Sequence, residues 1–236
     1  MAIAHGVIAL THGISRPSGL DNCEHGLLVT GVVPVHAVSG LLTKLNLATR
    51  HLHADVDDPW LDLLRIDVNL ADYSTQLVRT YGLIAPFESA CKYTPGVARL
   101  LDYRQLLRAG LIARDLLALG LTPGELSRIP TCPAITMFRD ASEAFGWLYV
   151  VERSTLLQEG VRRHLVQRLP AIATACSYLG AYEGHINDHW LAFGRQLDRI
   201  AEEQHNEDDV IAAAEAAFRH TKDWLTLRGT GSRSVG

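Results

Sequence analysis

From Ala37 onward, Leu41, Leu42, Leu45, Ala48, Leu52 and Val56 recur at intervals of three and four, the period of one buried face of an α-helix. Pro59 restricts the residue before it, so this helix is expected to end near Asp58. Leu70, Tyr73, Leu77, Tyr81 and Ile84 mark a second helix over about 68–91, bent or interrupted at Pro86. The spacing predicts a third from about Tyr103 to Leu119, stopped at Gly120, a residue suited to a helix C-cap. After the proline-rich loop LTPGELSRIPTCP the longest helical pattern runs from Ile135 to Leu169, and two more cover about 187–203 and 208–225. Residues 1–37 show no sustained period, with Pro17 and Pro34 as breakers, and read as an irregular N-terminal arm. The small, polar residues of 227–236 read as a flexible tail. No β period alternates with the helical one and no repeat appears, so the expected fold is all-α: an irregular single-domain bundle over 38–226.

Composition narrows the functional classes. With 236 residues, 47% apolar and 20% charged, the chain can bury one sizeable core in water. A net charge of -4 and scattered basic residues argue against nucleic acid as a partner. Cys23, Cys91, Cys132 and Cys176 lie far apart without a CxxC pair, which suggests neither a zinc knuckle nor a disulfide framework. The N-terminus lacks a basic n-region, and no apolar run reaches the roughly 20 residues a bilayer span needs. No membrane association and a cytoplasmic location are the expectation. His5, His12, His25 and His36 of the arm are too irregularly placed for a metal site.

The segment ATRHLHADVDD carries candidate chemistry. Thr49, His53 and Asp57 are four apart and share one helical face. A carboxylate one turn from an imidazole can accept its Nδ1 proton, leaving Nε2 as a lone-pair donor for a metal. The same spacing also suits a helix-end histidine with a local hydrogen bond, and spacing alone leaves both readings open.

LNLATRHLHADVD resembles the proximal helix of heme oxygenases, particularly the biliverdin-producing bacterial group linked to bacteriophytochromes, in which the ligand histidine follows a threonine by four and precedes an acid by four. His53 takes that position. YGLIAPFE, ending at Glu88, and LIARDLLALG, ending at Gly120, are similar to family segments in the same order. GWLYVVERSTLLQEGVRRHL, from Gly146 to Leu165, resembles the distal-helix signature LYVLEGSTLGG. Tyr182, Gly184, Trp190, Phe193, Phe218 and Trp224 follow in familiar positions, so the resemblance spans roughly 40–226.

Two departures matter. The family's distal glycines let the helix backbone approach the iron-bound oxygen; here the first is Arg153 and the Gly-Gly pair is Leu157 and Gln158. Arg153 and Leu157 share a face, expected to project into the space heme needs, where Arg153 could instead bond a propionate or the distal ligand, or pair with a nearby acid in a closed core. A basic residue that usually neutralises a propionate is here Asn46, with Lys44, Arg50 or Arg195 as substitutes or as ordinary surface charges.

The resemblance implies heme as cofactor and substrate, an external electron donor such as ferredoxin or a reductase, and biliverdin, carbon monoxide and iron as products, with Tyr149 and Tyr182 as candidate hydrogen-bonding groups. Two competing readings stand beside it. A heme-oxygenase-like di-iron oxidase would draw on Glu202, His205, His185, Asp188, His189 and Glu152. A degenerate member would keep the fold and bind heme or another ligand without turnover. A homodimer, with the arm as its mediator, stays open.

Overall fold

In a computed structural model, described here for residues 39–100, 106–204 and 206–226, the chain is a helical bundle with no strand among the described residues. The N-terminal arm, the tail and His205 lie outside that set. The α-helices are α1 (Gly40–Thr49), α2 (His53–Leu61), α3 (Leu70–Tyr93), α4 (Val97–Leu100), α5 (Ala109–Ala118), α6 (Pro123–Leu126), α7 (Ala141–Ser154), α8 (Gln158–Arg168), α9 (Ile186–Gln204) and α10 (Glu207–Thr226). The apolar period holds, since Leu41, Leu42, Leu45, Tyr73, Leu77, Ile84, Leu148 and Phe218 all join one core.

Helix limits depart from the periodicity where distant groups decide them. The first segment is two helices joined by a 3-10 turn, Arg50–Leu52, and it continues past Asp58 to Leu61 with Pro59 inside it. Proline forfeits the bond its own N–H would make and crowds the carbonyl four residues back, a cost tolerated in a helix that ends at Leu61. The third helix begins at Ala109 because the Glu88 carboxylate accepts the backbone N–H groups of Arg108 and Ala109. It ends as expected: Gly120 sits at φ +100, with Leu121 N–H returning to the Leu116 carbonyl and Gly120 N–H to that of Leu117, a Schellman cap. The expected helix over 135–169 starts only at Ala141, where the Asp140 side chain caps the Glu143 N–H, and a 3-10 turn over Thr155–Leu157 splits it into α7 and α8.

Helix α10 packs along α7, and α1 lies against both α9 and α10. Gly146 makes the α7–α10 approach possible: a Cβ there would meet the Ala213 Cβ at 2.5 Å and the Ala214 nitrogen at 2.6 Å. Asp115, fully buried, accepts the N–H groups of Ser177 and Tyr178 and anchors the loop before α9. Asp198 on α9 accepts hydrogen bonds from the Ser39 hydroxyl and the Leu41 N–H, which holds the start of α1 in place.

Candidate functional site

The 3-10 turn after α1 delivers His53 to the first position of α2, half-buried, with its ring 5.4 Å from that of Phe218 on α10. Thr49 is fully buried and donates its hydroxyl proton to the Leu45 carbonyl at 2.8 Å, so its oxygen is left to accept from His53 Nε2, 3.0 Å away. Burial is the main cause that lowers the His53 pKa to about 4; Arg153 lowers it further, against the opposing pull of Asp57. The imidazole is therefore neutral at physiological pH.

Asp57 does not make the bond its spacing suggests. Its carboxylate is taken by Arg153 of α7 in a two-point pair, Nη1 to Oδ1 at 2.7 Å and Nη2 to Oδ2 at 2.8 Å. A guanidinium fork matches a carboxylate edge in this way, and such a pair competes successfully with a single imidazole N–H. Arg153 thus spans from α7 to α2 beside His53. Leu157 is half-buried against the core, and Gln158 after it is buried. Tyr149, one turn before Arg153, is fully buried between Trp190 and Phe218; burial raises its pKa against the opposing effect of Thr49.

The surface cations scatter. Lys44 pairs with Glu207, Arg50 is exposed at the first position of the 3-10 turn, Asn46, which is uncharged, is exposed on α1, and Arg195 lies on α9 and lines a different pocket from His53.

On a neighbouring face of α7 a second polar cluster assembles, one that the sequence reading touched only in pieces. Glu152 is buried and ion-paired with Arg108 Nη2, while its other oxygen meets His189 Nε2. Arg108, itself buried, also donates from Nε and Nη2 to the Tyr182 hydroxyl, and the Tyr182 ring stacks on His189 with centroids 3.9 Å apart. Burial favours the neutral form of Glu152, but Arg108 and His189 outweigh it and hold the carboxyl below the usual range. Arg108 escaped notice, although a glutamate inside the apolar run GWLYVVE is a signal that a buried cation must exist. Glu152 and His189, which the di-iron reading singled out, do meet, but the second Glu152 oxygen faces a guanidinium. No group of three His, Cys, Asp or Glu side chains among the described residues is placed to hold a metal. No described helix is long and apolar enough to cross a membrane.

A family model described as heme oxygenase matches residues 39–226. Among solved structures, the chain is similar to the NO- and CO-bound heme oxygenase from Neisseria meningitidis, at 19% identity and a TM-score of 0.61, over 78% of this chain and 89% of that one. That likeness establishes the all-α fold. No curated protein sequence matches the chain significantly. With the match running through α1 to α10, the chain belongs to the heme oxygenase family.

Proposed function

We propose that this chain binds heme through His53 and cleaves it to biliverdin, carbon monoxide and ferrous iron in the cytoplasm, drawing electrons from an external donor such as a ferredoxin or a reductase. The bacteriophytochrome-linked group is the part of the family its distal and proximal segments resemble. The observation that carries the reading is a neutral, half-buried imidazole at the α1–α2 junction of a chain matching the family over residues 39–226. Heme, when bound, supplies the iron at which oxygen is activated and is itself the substrate.

The proximal half suits that group, whereas the distal half as it stands does not. Arg153 and its clamp on Asp57 lie beside His53, and Leu157 stands where the family keeps glycine. Binding therefore requires the Arg153–Asp57 pair to part. Its release has a second effect: Nε2 carries its proton toward Thr49 in the closed form, and a freed Asp57 carboxylate, one turn on, would favour the tautomer protonated at Nδ1. Clearing the slot and readying Nε2 are thus one event.

Hemin added to purified protein tests the reading. A Soret band of ligated heme is expected, lost in His53→Ala, followed by biliverdin absorbance on adding ascorbate or a ferredoxin system. A ligated spectrum unchanged in His53→Ala would overturn the assignment. A band without verdin would favour binding without turnover, the reading that Arg153 and Leu157 support. Absence of the band together with protein-bound iron or manganese would favour the di-iron alternative.

A further inference from the structure

An open pocket of about 450 Å³ lies where α2, the first half of α3 and the last turn of α10 meet, and none of His53, Asp57 or Arg153 lines it. Its wall carries a stripe of carboxylates: Asp55 and Asp58 on α2 and Asp62 just after it, at helical spacing on one face. Like charges so placed repel, and a cation would relieve them.

The local cations leave part of that charge uncovered. Lys222 of α10 takes Asp55 at 3.0 Å. Arg65, three residues after Asp62, is turned instead to Asp72 and Asp67, and Asp72 also caps the start of α3. Asp58 and Asp62, both exposed, make no ion pair with a described residue, and neither does the half-buried Arg79 across the pocket. Beside Arg79 on α3, Gln76 lines the same pocket at only 3% exposure, and its amide nitrogen has no hydrogen-bond acceptor. A buried donor without a partner is costly, so something that accepts a hydrogen bond belongs there. A bare metal ion or an ammonium would suit the carboxylates but would face Gln76 and Arg79 donor to donor. A peptide suits both sides, since its carbonyls accept from Gln76 and Arg79 while its basic side chains meet Asp58 and Asp62.

The chain carries such a peptide at the edge of the pocket. Thr226, the last residue of α10, lines it, and residues 227–236, outside the described set, follow directly. They read LRGTGSRSVG, with Arg228 and Arg233, no acidic side chain, and glycines that let a backbone lie close. Arg228 is two residues beyond Thr226, at most about 7 Å of chain, and the tether sets an effective concentration on the order of millimolar. We propose that residues 227–236 dock in this pocket as a basic strap, with Arg228 and Arg233 on Asp58 and Asp62 and a backbone carbonyl on Gln76. The strap extends the Lys222 to Asp55 tie between α10 and α2, and it rests on no step of the proposed function.

The full chain tests this by heteronuclear NOE of the amides of residues 229–234 and by trypsin cleavage after Arg228, which tracks the undocked fraction. NOE values close to those of the helices are expected. Asp58→Asn with Asp62→Asn should drop them to those of a mobile chain and speed the cleavage about tenfold. Both carboxylates are exposed, so that variant should melt like the parent. Exchanging the charges, Asp58→Lys and Asp62→Lys with Arg228→Asp and Arg233→Asp, should restore the NOE values that the two lysines alone abolish. Mobile values in the parent, order that survives the asparagine pair, or no recovery on charge exchange would overturn the proposal. Order lost on tenfold dilution would also overturn it, since a second copy would then fill the pocket.

Discussion

Glu152→Ala is expected to cost about 3–5 kcal/mol of folding stability, because it strands the Arg108 guanidinium in the interior without its carboxylate. The side chains of Glu152 and Arg108 are only 4% and 3% exposed, so solvent cannot make up the loss. The expected result is a large fall in the urea midpoint, or no folded protein at 37 °C. Removing both charges together, as Glu152→Ala with Arg108→Met, should recover a substantial part of the loss, since a buried charge without its partner is worse than an apolar pair. A single variant that loses less than about 1 kcal/mol would mean that water reaches Arg108 and that the cluster is not a structural tie.

The second large effect is expected from Arg153→Gly with Leu157→Gly. It removes the bridge from α7 to α2 and the side chain at the second glycine position. Hemin should bind about tenfold more tightly or better, equivalent to about 1.4 kcal/mol, and any verdin formation should accelerate. A second readout needs no heme. The His53 pKa should rise from about 4, because Arg153 no longer opposes the charged ring while Asp57 still favours it. The sign for stability follows. A histidine held below its unfolded value of 6.5 contributes stability that is fully present above 6.5 and is lost as pH falls toward about 4. The glycine variant should show a narrower window of acid sensitivity, measured by proton NMR of the imidazole and by melting between pH 4 and 7. An unchanged pKa together with unchanged hemin affinity would exclude Arg153 as the element that closes the site.

The helices were legible because a buried face leaves its period in the chain: Leu41 to Val56, and Tyr73 to Ile84, needed nothing beyond spacing, although Leu70, expected on that face, is exposed. Their limits were less so. The third helix starts at Ala109 on account of Glu88, 21 residues earlier, and the reach of α2 past Pro59 depends on how the chain turns afterward. At the site, spacing placed Thr49, His53 and Asp57 together but could not say which of two donors Asp57 would choose. Its partner Arg153 lies 96 residues away, and a two-point pair overrides a one-turn neighbour. The break at Thr155–Leu157 coincides with a segment that has lost its glycines, so glycine count alone is a poor guide to where this helix yields.

The contact of Asp198 with Ser39 and Leu41 joins positions 159 and 157 apart in the chain. During synthesis, the apolar face of α1 must therefore wait for α9 and α10 to leave the ribosome before it has a surface to cover it. The helix that leads into His53 is made before the rest of the described bundle and is among the last to be seated. Long-range closure of this kind slows folding, and the nascent chain is most exposed to aggregation with the apolar face of α1 still uncovered. Shortening the chain within α9 would thus deprive the protein of the far end of a clasp that holds the start of α1.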